Sequence, residues 1–395
     1  FAAGAIAAGA EVVHAGLGST DLLYYASGVL GLPGAMFTAS HNPAQYNGIK
    51  MCKAGAKPIG QDTGLSQIRD RAQQLLDEGL TPVGEVSVER RDLLTDYAKH
   101  LRSLVDLSGI RPLKVVVDAG NGMGGHTVPA VLGDTVLAGL PLSIVPLYFE
   151  LDGSFPNHEA NPLEPANLVD LQAAVVAHGA DIGLAFDGDA DRCFVIDEKG
   201  EPVSPSAITG LVAVRELAKH PGGIIIHNLI TSNAVPEIVT EHGGKPVRTR
   251  VGHSFIKAEM AKTDAVFGGE HSAHYYFRDF WGADTGMLAA MHVLAALGEQ
   301  DRPLSELGVA YERYVASGEI NSTVSDAAAK TAEVRAAYSG NPTDELDGLT
   351  ITFEDGAWIN LRPSNTEPLL RLNVEAPTAD RMAQLRDDVL AIVRG

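Results

Sequence analysis

Short apolar runs that read as strands alternate with helical runs along most of the chain, and this rhythm limits the possible folds more than any other feature. Residues 35–39, 113–117, 182–186, 224–227 and 265–267 have strand character, and 67–76, 168–176, 207–217 and 287–297 have helical periodicity. Such alternation predicts α/β layers with mainly parallel sheets. After residue 318 the rhythm changes. Residues 318–324 and 349–375 read as several strands around an Ala-rich helix at 326–338, and an amphipathic helix at 379–393 follows. This stretch is expected to form a separate α+β domain. Gly, Pro and charge displace the periodic apolar residues at 106–112, 198–205 and 299–303, the expected boundaries.

A 395-residue chain that is 45% hydrophobic and 20% charged is long enough for several cores and too apolar to stay disordered. Its formal charge of -20 repels nucleic acid and anionic membranes, so any anionic ligand must meet a local cluster of positive groups. Two cysteines, Cys52 and Cys193, cannot build a disulfide framework, which points to a reducing cytoplasm. The apolar opening, residues 1–13, is interrupted by Gly4, Gly9 and Glu11. It has neither a basic flank nor the roughly 20 apolar residues of a membrane span. Without an initiator Met or a capping residue, it is expected to start inside a helix whose preceding segment is missing.

Four segments carry chemistry. In FTASHNPAQYNGIK, residues 37–50, a strand end delivers Ser40 and His41 into a polar turn that precedes Lys50. This is a setting for an exposed hydroxyl nucleophile, although Ser-His-Asn-Pro alone is equally a good turn. In LAFDGDADRC, residues 184–193, Asp187, Asp189 and Asp191 crowd a small-residue loop followed by Arg192. Three such carboxylates repel unless a cation intervenes, and all-oxygen ligation suits Mg²⁺ or Ca²⁺. Glu198 falls at position 12 of a calcium EF-hand pattern, yet Arg192 stands where that loop needs Gly, and both flanks read as strands.

In GGEHSAHYYF, residues 268–277, preceded by VGHSFIK at 251–257, the side chains of Glu270, Ser272, His274 and His253 can hydrogen-bond a polyhydroxylated ligand. The same alternation also describes an edge strand. In NLRPSNTEPLLR, residues 360–371, the turn bearing Arg362, Ser364, Asn365 and Thr366, with Arg371 beyond it, forms an anion cradle suited to phosphate or else a polar hairpin. A fifth match, GNGMGG at 120–125, fits the dinucleotide fingerprint but lacks a clear acidic partner about 20 residues on, so nicotinamide binding is not expected.

Taken in order, TASHNP, DGDADR, GEHSAH and RPSNTEP resemble the α-D-phosphohexomutase superfamily, in particular its phosphomannomutase/phosphoglucomutase branch. FPNHEANPLEPANL at 155–168 is also similar to the family pattern. The resemblance implies three similar α/β domains with mixed sheets and a smaller C-terminal α+β domain around a central cleft. The expected divisions are 1–107 (phosphoserine domain, N-terminally truncated), 108–205 (metal), 206–302 (sugar) and 303–395 (phosphate). It also implies that an N-terminal part of the first domain, with an Arg-bearing loop, precedes residue 1.

By motif, Ser40 would be the phosphoserine. Asp187, Asp189 and Asp191 would hold Mg²⁺ together with Ser40, and His41 and Lys50 would assist proton transfer, with Arg192 offsetting charge. Glu270, Ser272, His253 and His274 would bind the sugar, and Arg362, Ser364, Asn365, Thr366 and Arg371 the phosphate that is not transferred. The implied reaction interconverts hexose 1-phosphate and hexose 6-phosphate through hexose 1,6-bisphosphate, in a cytoplasmic monomer or homodimer. The resemblance implies neither nucleic acid nor membrane as a partner.

Three positions depart from the family pattern. Ala273 stands where Gly is common, His271 stands where the branch is often apolar, and residues 224–233 lack a Lys that some members direct at substrate. A phosphoglucosamine mutase usually has Gly at the Asn365 position and Gln at the His271 position, so the branch with mannose and glucose substrates fits better. A silent sugar-phosphate-binding protein is the alternative from another class.

Overall fold

The structure is a computed structural model that describes residues 1–79, 84, 86–364 and 369–395, with Asp62 described by its backbone only. It divides into two units: residues 1–202 with 276–303, and residues 203–275 with 304–395.

In the first unit the helix Thr20–Leu30 ends at Gly31, whose left-handed φ of 65° stops it. The helix lies beside an antiparallel ladder of Gly34–Phe37, Ile49–Lys53 and Lys57–Pro58. A second sheet places Cys193–Ile196, Ile182–Phe186, Leu113–Asp118 and Leu142–Leu147 side by side. Among these four strands two pairings are parallel and one is antiparallel, so the sheet is mixed. Ile182–Phe186 is buried at every position and Leu113–Asp118 at all but Lys114. That is why both read as continuous apolar runs without alternation. Because Asp118 pairs with Ala185, the loops after these two strands leave the same sheet edge, where α/β folds bind ligands.

In the second unit Lys245–Thr249, Ile224–Asn228 and Phe267–Gly269 pair in parallel, and the intervening segments form the helices Ala234–Glu241 and His253–Thr263. The expected strand at 265–267 begins only at Phe267 and runs through two glycines. Gly is a poor strand former, which hid this extension. It is needed at 269 because a Cβ there would lie 2.4 Å from Thr209 Oγ1.

The C-terminal part is a fully antiparallel sheet of Val315–Thr323, Leu369–Ala376, Trp358–Pro363, Leu349–Thr352 and Thr343–Asp344. One face buries Ile351, Ile359, Leu361, Leu372 and Val374 together with Val334, Leu385 and Val389 of the helices Ala327–Ala337 and Ala379–Arg394. The expected α+β character is therefore present. Among the described residues no helix is long and apolar enough to cross a membrane.

Asp21, in the first turn of the helix Thr20–Leu30, is fully buried. Its carboxylate accepts hydrogen bonds from Ser19 and, at 2.7 Å each, from the hydroxyls of Tyr97 and Thr285. Burial outweighs these three donors and pushes the carboxyl up to about 6 from 3.8. The folded state therefore keeps a proton that the unfolded chain has already released. Stability from this group is full below pH 4 and declines as the pH rises towards 6, by on the order of 3 kcal/mol. Asp21→Asn is expected to flatten the pH dependence of the thermal midpoint over that window in metal-free buffer, and an unchanged slope would refute the assignment.

Candidate functional site

The loop 187–192 joins two antiparallel strands, closing from Phe186 to Cys193. Strands rather than helices on both flanks rule out the EF-hand pattern. Asp187, Asp189 and Asp191 are buried, and one carboxylate oxygen from each lies within 4.8 Å of the others. At that spacing, like charges oppose each other by roughly 3 kcal/mol per pair at an effective dielectric near 20. Burial first, then Asp191 and Asp189, push the Asp187 carboxyl well above its usual range.

Ser40 Oγ donates to Asp187 Oδ2 at 3.2 Å, which brings the first motif against the second. Lys50 Nζ lies 2.7 Å from Asp189 Oδ2 and 2.5 Å from Asp191 Oδ2. Burial pulls its ammonium down, but Asp191 and Asp189 outweigh that and hold it well above the ordinary lysine value. His41 Nδ1 is 3.3 Å from Ser40 Oγ and accepts from Arg192 Nη2 at 2.8 Å. Burial and then the Arg192 charge pull this imidazole down to about 4. Ser40, His41, Lys50, Arg192 and the three aspartates thus form one constellation.

Residues outside the four motifs brace it. Asp189 Oδ2 accepts from Lys50, from Thr20 Oγ1 at 2.7 Å and from Thr38 Oγ1 at 3.0 Å, while Asp189 Oδ1 is buried with no hydrogen-bond partner. A buried carboxylate oxygen left bare beside two more carboxylates fits a hard, oxygen-seeking cation. The residues present therefore suit a divalent metal. Ser40 sits at φ 56°, a strained value for a residue with a side chain. Its carbonyl is so close to Gly188 that a Cβ there would be 2.4 Å away. The GNGMGG segment supports the same point. Met123 N donates to Gly188 O at 2.9 Å, and a Cβ on Gly122 would lie 2.6 Å from that oxygen. Within the fingerprint-like match Gly122 serves a backbone-to-backbone approach to the acidic loop, and Gly125 a similar approach to the Phe149 backbone.

In the second unit, Glu270 to His274 form a tight turn: Ala273 N donates to Glu270 O at 3.1 Å, and Glu270 N to His274 O at 3.0 Å. Ser272 Oγ and His274 Nδ1 are 3.2 Å apart. Ala273 adopts φ 62°, which explains why Gly suits that position and marks Ala as a strained replacement. His253 opens the helix His253–Thr263.

The face of the C-terminal sheet opposite its apolar core carries the cross-strand pairs Trp358 with Glu375, Asn360 with Asn373, and Arg362 with Arg371. Two opposed guanidiniums would repel, but Glu319 bridges them, 3.2 Å from Arg362 and 3.1 Å from Arg371. Among the described residues, the Nε atoms of both arginines are buried without an acceptor. Ser364 follows directly, its N–H donating to Leu369 O at 2.8 Å. Asn365 and Thr366 lie outside the described residues. Neither Glu319 nor Thr20 stands in a recognisable motif.

Thr20→Val keeps the shape of that side chain and removes one of the three donors to Asp189. Because hydrogen bonds to charged groups are worth about 1.5–3 kcal/mol, divalent-cation affinity measured by calorimetry should fall roughly tenfold or more, and Thr20→Ser should restore it. Equal affinity in all three proteins would contradict the bracing role.

Comparison with known proteins agrees with this geometry. The chain matches four family descriptions: phosphoglucomutase/phosphomannomutase alpha/beta/alpha domain I over residues 1–77, domain II over 95–200, domain III over 204–314, and the C-terminal domain over 319–392. A phosphomannomutase of Escherichia coli is 40% identical over all of this chain and 88% of its own length. Proteins named phosphohexose mutases in Xanthomonas campestris are 42% identical over the same shares. Among solved structures, a phosphoglucomutase/phosphomannomutase family protein from Burkholderia thailandensis superposes with a TM-score of 0.84 at 32% identity, covering 100% of this chain and 85% of that one. A putative phosphomannomutase from Thermus thermophilus gives 0.79 at 25% identity, covering 98% and 84%. The acidic loop, the adjoining serine and similarities that span this chain lead to one conclusion: the chain belongs to the phosphoglucomutase/phosphomannomutase family of the α-D-phosphohexomutase superfamily.

Proposed function

We propose that the protein interconverts hexose 1-phosphates and hexose 6-phosphates, with mannose and glucose as the sugars, through phosphorylated Ser40 and a hexose 1,6-bisphosphate. The observation that carries this reading is the serine hydroxyl 3.2 Å from one of three clustered, buried carboxylates, with Lys50 on the other two. A phosphoserine brings about -1.5 to -2 charges, so it belongs where cations can gather.

In the first transfer a hydroxyl of the bound hexose monophosphate attacks the phosphoryl group. Its O–P bond forms, the Ser40 Oγ–P bond breaks, and the proton that the attacking hydroxyl gives up ends on the departing Ser40 Oγ. The bisphosphate then turns end for end, and the reverse step returns the other phosphoryl group to Ser40, leaving the isomeric monophosphate. His41 and Lys50 assist the proton, and Lys50 and Arg192 offset phosphate charge. Mg²⁺, held by Asp187, Asp189, Asp191 and a phosphoserine oxygen, would neutralise charge on the group in flight.

Glu270 and Ser272, with His253 and His274 nearby, would bind sugar hydroxyls. Arg362, Ser364, Asn365, Thr366 and Arg371 would hold the stationary phosphate, and the unpaired Nε atoms of the two arginines support that role. The division at 107/108, 205/206 and 302/303 belongs to the same reading. Two buried, unpaired thiols, Cys52 and Cys193, favour a reducing cytoplasm.

Ser40→Ala should lower turnover of mannose 1-phosphate and glucose 1-phosphate by roughly 10⁴-fold or more. Retained turnover would disprove the covalent route, and tight bisphosphate binding with no isomer exchange in the unaltered protein would instead identify a silent binding protein. For the metal, titration of Mg²⁺ into an Asp187→Asn/Asp189→Asn double variant should show binding collapse, and undiminished affinity would remove the loop from the proposal.

A further inference from the structure

Two segments, GNGMGG at 120–125 and FPNHEANPLEPANL at 155–168, supply no group to the proposed chemistry, yet they meet beside the acidic loop. Asp118, buried at the end of the strand Leu113–Asp118, accepts the Gly120 N–H at 2.8 Å through Oδ1. Its Oδ2 lies 2.9 Å from His158 Nε2, and His158 Nδ1 lies 2.9 Å from the Glu159 carbonyl oxygen. A carboxylate oxygen and a carbonyl oxygen can only accept, so both ring nitrogens carry protons and the ring is an imidazolium. The bond to Asp118, the Glu159 carbonyl and the charges of Asp118 and Asp170 hold it above the ordinary histidine value, against the effect of burial. Tyr148 packs edge-on against the ring and donates its hydroxyl to Asp170 at 2.7 Å.

Around this clasp the two segments are stitched together. Asn157 Nδ2 donates to Asn121 Oδ1, and Asn121 Nδ2 to the Glu150 carbonyl, each at 2.8 Å. The methyl of buried Ala160 would lie 3.4 Å from a Cβ on Gly120 and 3.5 Å from one on Gly188. Gly188 is thus bounded by Ala160, by the backbone of Gly122 and Met123, and by the Ser40 carbonyl. We infer that His158 is a positioning residue: clasped to Asp118, it holds residues 157–160 against the 120–123 loop, and the two together fix Gly188 and so the placement of the acidic loop against Ser40. Its effect on turnover rests on the function proposed above. In-line transfer from Ser40 needs the serine and the acidic loop in one geometry, and a displacement of about 1 Å can cost on the order of 100-fold in rate.

The test combines nitrogen NMR of labelled histidine, Mg²⁺ calorimetry and kinetics on the unaltered protein, His158→Asn, His158→Gln and Ala160→Gly. Asn is too short to reach Asp118, whereas Gln can place its amide nitrogen where Nε2 stands. In the unaltered protein the resonances that His158→Gln removes should show both nitrogens protonated, with a titration midpoint above 6.5, and a midpoint at or below 6.5 overturns the clasp. In His158→Asn, Mg²⁺ affinity should fall about tenfold, and kcat for mannose 1-phosphate about 10- to 100-fold while KM stays within about twofold. His158→Gln should restore both to within about threefold of the unaltered protein. A lower thermal midpoint with unchanged Mg²⁺ affinity and kcat in the folded His158→Asn protein marks a merely structural histidine and overturns the positioning role. Ala160→Gly keeps the clasp and deletes the methyl beside Gly188, so it decides the matter even if His158→Asn does not fold. Its kcat should fall about threefold or more at constant KM, and an unchanged kcat overturns the route through Gly188. If the unaltered protein turns over no hexose phosphate, the effect on turnover falls with the function proposed above, and the Mg²⁺ titrations still decide whether His158 places the acidic loop.

Discussion

Three carboxylates held on one short buried loop oppose one another, and much of the first unit is arranged in answer to that repulsion. Lys50 pairs with two of them, the hydroxyls of Thr20 and Thr38 hold Asp189 by one oxygen, and the glycines at 122 and 188 let backbone approach backbone. The result leaves Asp189 Oδ1 bare. An isolated fold would gain by replacing such a cluster with apolar residues. Its presence therefore speaks for a bound cation and for the anionic chemistry that a cation permits.

The second unit meets a related difficulty with opposite sign. Arg362 and Arg371 stand directly across a ladder, and Glu319 holds them in place while leaving both Nε atoms without an acceptor. A bridged pair of guanidiniums is preorganised for an oxyanion, because the ordering of two long side chains has been met during folding rather than during binding. The turn at 270–274 follows the same logic through the buried Asn228 amide, whose Nδ2 lies 3.1 Å from Glu270 Oε2 and 3.2 Å from His271 Nδ1. In each case the residue that touches ligand in the proposed reading depends on another that does not.

That dependence explains what could be read from the amino-acid order. Buried parallel strands announce themselves as apolar runs, and Ser40, Lys50 and the three aspartates sit in compact motifs whose residue types already imply their chemistry. Thr20 is 169 positions from the carboxylate it holds, and nothing local distinguishes it from a helix-starting threonine. Glu319 and Asn228 are equally ordinary until the ladder and the turn bring partners to them. The glycines of GNGMGG carried a signal with two physical causes, close approach to a phosphate or close approach to another backbone, and only the Gly188 contact distinguishes them. The glycine-rich end of the 267–269 strand was hidden by its low strand propensity. Asn365 and Thr366, legible as a phosphate turn, lie outside the described residues.

In the proposed reaction the hydroxyl beside the acidic loop carries the phosphoryl group between substrates. Peptide mapping by mass spectrometry, after brief incubation of the Mg²⁺-loaded protein with hexose 1,6-bisphosphate, tests it most directly. One added phosphoryl group should appear on the peptide containing Ser40 and be discharged when excess hexose monophosphate is added. A phosphoryl group found on another residue, or none found on Ser40 while the protein turns over substrate, would contradict it.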